Sequence, residues 1–249
     1  MEYSVVIPSY KRAKGIKDKT LRVLNLQNIP KERIHIFVAS EEEKKEYEAE
    51  NPGYKVILGV LGLVQQRNFI QSYFPVGTFL LSLDDDVESL SILYEDRLRP
   101  LSGLEEIINL GFSECLKNNA RLWSIYPVHN AFFMKHKITT DFKFCIGSFF
   151  GMINPGTEIL NPSPDGCKED YLRTILFWIA DRAIIRINYV AHKTHYGGGT
   201  GGLQESTREV RLKNERAAVE YLLDEYPDLV RVNPKRKSPF PEVLLKRAK

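Results

Sequence analysis

Short apolar runs alternating with helix-patterned stretches occupy the first third of the chain. Tyr3-Ser4-Val5-Val6-Ile7-Pro8 is β-rich and stopped by proline, which predicts a first strand. Ile16, Leu21, Leu24 and Leu26 lie within a helical pattern from Ile16 to Gln27, closed by Pro30. Ile34 to Ala39 reads as a second strand. Ser40 before Glu41-Glu42-Glu43 then supplies an N-cap with acids in the first turn of a helix reaching about Asn51, where Asn51-Pro52-Gly53 breaks it. Lys55-Val56-Ile57-Leu58 is a third strand, and Val64 to Phe74 a helix with Leu63, Phe69, Ile70 and Phe74 as its apolar stripe. Such alternation predicts βαβ units and a parallel sheet.

The fourth strand, from Phe79 to Leu83, ends in Asp84-Asp85-Asp86. An uncharged run of this length reads as a strand buried on both faces. Three adjacent acids cannot all be buried ionised without a compensating cation. In open α/β sheets ligands bind beyond the carboxyl ends of the strands, so the acids fall where a site is expected. Side-chain alternation along a strand would put Asp84 and Asp86 on one face and Asp85 on the other. Carboxylates suit Mg²⁺ or Mn²⁺, which take their remaining ligands from substrate phosphates. A solvated acidic turn is the competing reading. The pattern brings residues 8–12, 40–42, 59–67 and 84–86 to one edge.

The second half reads as mixed. An amphipathic helix spans Gly103 to Asn118, and Leu122 to Pro127 and Phe142 to Gly147 read as strands. His129, Asn130, Phe132, Phe133, Phe149 and Phe150 form an aromatic-rich region fit for core packing or for stacking on a sugar or base. Glu169-Asp170 opens a helical pattern where a helix dipole favours acids. A strand from Ile184 to Val190 leads to His192-Lys193-Thr194-His195 and a run with five glycines in six residues, Gly197 to Gly202, whose backbone is open to a phosphate but does not match a P-loop. Leu203 to Leu223 is helical.

Composition adds limits. At 249 residues, with 43% hydrophobic and 27% charged residues, the chain fits one globular α/β domain. Three cysteines without metal-ligand spacing argue against a disulfide framework and a zinc site. No apolar run approaches a membrane span and no signal-peptide pattern precedes the first strand, so a soluble, intracellular protein is expected. A net charge of +3 is too small to diagnose a polyanion partner, but residues 231–249 read as a basic tail.

Val5-Val6-Ile7-Pro8-Ser9-Tyr10, Gln66-Arg67-Asn68 on a helix, the strand-ending Asp triplet, Glu169-Asp170 opening a helix and a late His together resemble a GT-A fold nucleotide-sugar glycosyltransferase. Gly62 to Ile70, the triplet and His195 to Gly202 are more similar still to the TET-associated (TET/JBP-associated) glycosyltransferases, found largely in viruses of bacteria. The match runs from Tyr3 to about Glu242. The resemblance implies a GT-A-like nucleotide-binding sheet with a mixed acceptor-side half in a single domain, residues 1–230. Residues 1–100 would form the nucleotide-sugar half and 101–230 the acceptor and catalytic half. It also implies transfer of glucose or N-acetylglucosamine from a UDP-sugar to the hydroxyl of 5-hydroxymethylcytosine or 5-hydroxymethyluracil in DNA, in the host cytoplasm if the protein is viral. Some members of the family are proposed to act on protein.

The chemistry assigns roles to residues. Asp84 and Asp86 would hold Mn²⁺ or Mg²⁺ to neutralise a departing diphosphate, and the family analogy adds His195, or else His192, as a third ligand. The donor set is Pro8, Ser9, Arg12, Ser40, Gln66, Arg67, Asp84 and Asp85, with Arg12 and Arg67 as forked donors to diphosphate or ribose oxygens. Asp170 is the base for the acceptor hydroxyl, with Glu169 orienting it or the substrate. One base without a second nucleophile predicts inversion at the anomeric carbon. Lys135-His136-Lys137 and the tail would hold DNA phosphates. Competing readings are a GT-A enzyme acting on a glycan or protein hydroxyl, a nucleotidyltransferase and a noncatalytic nucleic-acid-binding module.

Overall fold

The computed structural model describes residues 1–163, 166–194 and 207–246. Its parallel half follows the apolar runs: β1 (Ser4–Pro8), β2 (Ile34–Val38), β3 (Lys55–Leu58) and β4 (Phe79–Leu83) pair in the order β3-β2-β1-β4. Alternate residues feed two cores. Val5, Ile7 and Leu81 pack with α1 (Arg22–Leu26), α2 (Glu41–Glu50) and α4 (Leu104–Lys117) on one face. Val6 and Leu80 pack with α3 (Leu63–Tyr73) and α5 (Glu169–Asp181) on the other. After β1 the chain moves out to β2 and β3, then returns to place β4 on the opposite side of β1. That reversal is a topological switch point, where α/β sheets are expected to bind ligands beyond the carboxyl ends of the strands, here β1 and β4.

The sheet continues as β9-β7-β10-β5-β6, with β5 (Val87–Tyr94), β6 (Arg97–Pro100), β7 (Leu122–Tyr126), β9 (Phe149–Ile153) and β10 (Ile185–Thr194). The short β8 (Ile138–Thr139) pairs with β10. β9 is antiparallel to both β4 and β7, and β10 is parallel to β7, so Tyr126 and Thr194 end on the same edge as Leu83. Residues 1–100 do not form a contiguous half: β5 and β6 lie beyond β10, at the far edge from β3. The β5–β6 turn uses Glu95 and Asp96 at φ 44° and 59°. Both central residues are left-handed without the glycine or asparagine that announces such a turn in a sequence.

Three further expectations are corrected. Residues 142–147 are irregular, and the strand that fills the slot between β4 and β7 is Phe149–Ile153. The Cys145 N–H donates to Thr174 Oγ1 at 3.1 Å, outside any ladder. Residues 231–246 are not a separate tail: β11 (Val230–Val232) pairs with β12 (Val243–Leu245), and Val230 and Val243 are buried against Val219 and Leu222 of α6 (Arg208–Glu225). The last helix, expected from Leu203, is described from Arg208 with Thr207 as its N-cap. The glycine run Gly197–Gly202 lies outside the described residues.

Candidate active site

The three acids form a tight turn between β4 and β5, so strand alternation does not apply to them. Thr20 staples that turn. It sits in a widened helical turn, Lys17–Leu21, just before α1, and its Oγ1 donates to Asp84 O at 2.7 Å and accepts from Val87 N at 3.0 Å. The carboxylates consequently point to different partners. Asp84 accepts from Arg67 Nη2 at 2.8 Å. Asp85 is buried and accepts from Ser9 Oγ at 2.5 Å and Arg12 Nη1 at 2.6 Å. Asp86 meets Arg12 Nη1 at 3.3 Å and is partly open.

Ser9 and Arg12 are themselves held from α2. Tyr47 OH accepts from the Arg12 backbone N–H at 2.8 Å and lies 2.7 Å from Ser9 Oγ; because Ser9 donates to Asp85, Tyr47 donates to Ser9. Glu43, one turn earlier, accepts from Lys11 N at 2.7 Å and Ala39 N at 2.9 Å, tying together the loops after β1 and β2. Ser40 caps α2 through Glu43 N at 3.2 Å. Pro8 closes β1 opposite Phe37. Gln66 is buried, and its Oε1 accepts from Val60 N at 2.9 Å, holding the loop after β3. Ser40 and Gln66 thus shape the rim, while Ser9, Arg12 and Asp85 form one hydrogen-bonded group inside it.

Arg67 joins the acid turn to α5. It is 6% exposed, and besides Asp84 it binds Gly147 O at 2.8 Å and the carboxylate of Glu169. Arg173 holds the other Glu169 oxygen at 2.8 Å. Both oxygens of Glu169 and both terminal nitrogens of Arg67 are therefore committed to protein partners. Burial works to raise the Glu169 pKa, but Arg173 and Arg67 outweigh it and leave the carboxyl below its usual range. Gly147 is required at this junction: a Cβ there would stand 2.8 Å from Glu169 Oε1, 3.1 Å from Arg67 Nη1 and 3.3 Å from Asp170 Cβ.

Asp170 is the less occupied neighbour. Its Oδ1 accepts from the adjacent Tyr171 N–H at 2.9 Å. Burial and the charge of Glu169 push its carboxyl up to about 6. Asp84 is likewise pushed up to about 6 by burial, against the pull of Arg67. His192 lies within β10 rather than in a loop. Its Nε2 is 2.6 Å from Ser148 Oγ, and Ser148 O accepts the Asp84 N–H at 3.1 Å. Burial lowers the imidazole to about 4, so it is neutral and braces the segment under Asp84. His195 lies outside the described residues.

Among the described residues no three His, Cys, Asp or Glu side chains form a ready metal cage. The charge balance nevertheless fits a cation. Five carboxylates (Asp84, Asp85, Asp86, Glu169 and Asp170) stand against three guanidinia (Arg12, Arg67 and Arg173) in this connected cluster, a deficit of two positive charges. Mg²⁺ and Mn²⁺ need only one or two protein carboxylates when a diphosphate supplies further oxygens. Asp84 and Asp86, the partly exposed members of the triplet, are the ones that could hold such an ion.

The sequence matches no protein-family model and no curated protein. Solved structures do match. A glucosyl-3-phosphoglycerate synthase from Mycobacterium tuberculosis, solved with Mn²⁺, UDP and phosphoglyceric acid, aligns over 99% of this chain and 87% of its own, with TM-score 0.53 and 12% identity. A mannosyltransferase from Pyrobaculum calidifontis, solved with GDP-Man and Mn²⁺, aligns over 96% of this chain and 66% of its own, with TM-score 0.52 and 12% identity. This chain has the GT-A glycosyltransferase fold. At such identities the likeness speaks for the fold alone. Arg12 meets Asp85 and Asp86, and Arg67 links Asp84 to Glu169, the neighbour of Asp170. Tyr47, Glu43, Gly147 and Arg173 are the members that the sequence did not disclose. Glu43 and Tyr47 share an α2 face four residues apart, and Arg173 follows Glu169 by the same interval, which is the signal each carried.

Proposed function

We propose that the chain is a metal-dependent inverting glycosyltransferase that moves a hexosyl group from a UDP-sugar to a hydroxyl. The acceptor in this reading is a 5-hydroxymethylpyrimidine in DNA, as the resemblance implies. The supporting observation is the bridge through Arg67, which links Asp84 to Glu169, the neighbour of Asp170. The nucleotide would lie against Ser9, Arg12 and Asp85. Asp84 and Asp86 would hold a divalent ion, which would supply Lewis-acid neutralisation of the diphosphate.

Asp170 takes the proton of the acceptor hydroxyl. The acceptor oxygen then bonds to the anomeric carbon from the face opposite the bond to the UDP oxygen, and that bond breaks with the electron pair leaving on UDP. A carboxyl near 6 is ionised at neutral pH yet more basic than a free carboxylate, which suits it to this transfer. Glu169 is spent on Arg67 and Arg173, so it acts by holding Arg67 and the start of α5. The fourth strand's acid turn and the α5 start thus divide the work between leaving group and nucleophile.

A small acidic hydroxyl acceptor is the second reading, because the synthase of the same fold was solved with phosphoglyceric acid. The test combines the protein with Mn²⁺, a panel of nucleoside-diphosphate sugars and either hydroxymethylated DNA or phosphoglyceric acid. Products are weighed by mass spectrometry. A hexosylated hydroxymethylpyrimidine with release of UDP is the expected result; transfer only to phosphoglyceric acid replaces the acceptor, and a nucleotidylated product with release of sugar 1-phosphate replaces the reaction with nucleotidyl transfer.

A further inference from the structure

The turn between β7 and β8 exposes two neighbouring phenylalanines, and nothing in the donor chemistry uses them. Phe132 is 83% and Phe133 52% exposed, with ring centroids 5.0 Å apart in an edge-to-face arrangement. This exposure is not the result of a loose loop. Asn130 caps the short Ala131–Phe133 turn through the Phe132 N–H at 3.0 Å, and His129 Nε2 lies 2.9 Å from Ser91 Oγ on β5. Met134 is buried against Leu93 and Ala191. The Lys135 N–H donates to Asn188 O at 3.1 Å, and Asn188 N–H donates to Lys137 O at 3.0 Å. The turn is pinned on both sides, and the two rings are held outward.

Lys135, His136 and Lys137 follow directly, all exposed, and the His136 ring lies along that of Tyr189 with centroids 6.4 Å apart. Outward aromatic faces beside a row of cationic side chains match a single-stranded nucleic acid: bases stack on the rings while phosphates meet the cations. A duplex hides its base faces, so the rings select a strand that is already splayed. The location fits as well. β7 runs parallel to β4, so the turn leaves the sheet on the edge that carries Asp84 to Asp86. His129 anchors it to β5, the strand that begins at the acid turn.

We infer that Phe132 and Phe133, with Lys135 and Lys137, form a docking platform for a single-stranded nucleic-acid segment flanking the acceptor. The inference rests on the reading of DNA as acceptor but is tested apart from it. Binding of a fluorescent, unmodified single-stranded oligonucleotide is followed by anisotropy at several salt concentrations. The proteins are the wild type, a Phe132→Ala/Phe133→Ala variant and a Lys135→Ala/Lys137→Ala variant. All four side chains are exposed, so the fold should be retained, and melting curves verify that.

The aromatic variant is expected to lose at least tenfold in affinity with its salt dependence unchanged, as stacking energies require. The lysine variant should lose affinity mainly at low salt, with the slope against log salt reduced by about one to two. Wild-type affinity in both variants overturns the platform. So does a wild type that ignores the oligonucleotide and binds phosphatidylserine vesicles instead. If both variants bind and modify hydroxymethylated DNA as the wild type does, the platform is wrong and the acceptor reading stands. If binding depends on the phenylalanines while no hydroxymethylated DNA is ever modified, the platform stands and the acceptor reading is wrong.

Discussion

Replacing Asp170 by asparagine should stabilise the fold while stopping the reaction. Folding moves the Asp170 carboxyl from an ordinary 3.8 to about 6, because burial and Glu169 both oppose its ionisation. The folded state therefore binds a proton more readily than the unfolded chain, and stability falls as pH rises from about 4 to about 6. Above that window the cost is complete. A shift of this size corresponds to about 3 kcal/mol as an upper limit. Asparagine carries no charge to desolvate and can keep its side-chain oxygen on the Tyr171 N–H. Since Asp170 is only half-buried, about 1–2 kcal/mol of the limit should survive solvent screening. For a chain of this size that is a rise of roughly 2–8 °C in melting temperature. Thermal melts of both proteins from pH 4 to pH 8 read the effect, and turnover on the same samples reads the chemistry. The difference should be present at pH 7.5 and vanish near pH 4. A variant no more stable than wild type at pH 7.5, or a gap independent of pH, refutes the argument about burial; undiminished transfer refutes the assignment of the base.

Turnover of the wild type should climb with pH through about 6 as Asp170 ionises, which a pH–kcat profile measures. Asp86→Ala should abolish the Mn²⁺-dependent part of UDP affinity in calorimetric titrations, and equal affinity with and without Mn²⁺ in the wild type would count against the cation site. Glu169→Gln removes the charge that two buried guanidinia share, so denaturant unfolding should show a loss of about 3–5 kcal/mol. Thr20→Val strands the Val87 N–H and frees Asp84 O, and should cost about 1–3 kcal/mol in the same assay.

The membrane question is narrower than composition implied: among the described residues no helix is long and apolar enough to span a bilayer. Chemistry, by contrast, was visible only as residue types. Asp170 and Glu169 are adjacent and chemically alike in the sequence, and both were candidates for work on the acceptor. Packing separates them, because α5 turns Glu169 inward between Arg67 and Arg173 and leaves Asp170 with one backbone donor. Arg67, expected to touch phosphate or ribose, is drawn inward by the same ion pairs.

The sequence by itself determined the parallel half. The apolar runs ending at Pro8, Ala39, Leu58 and Leu83, the Ser40 cap and the acid triplet are local signals, and each arises from residues within a few positions of one another. Tertiary structure decided the rest. Arg67 and Glu169 are 102 positions apart, so no local periodicity could pair them. Residues 142–147 have a strand-like composition, but the slot beside β4 is taken by Phe149–Ile153, and the hydrogen bonds that would have made the earlier segment a strand go elsewhere. The basic terminus becomes a packed hairpin because Val230 and Val243 find an apolar surface on α6 that exists only once the chain has folded. Local patterns fix where an element can form, while burial against distant neighbours fixes which of them do and which charges they leave free.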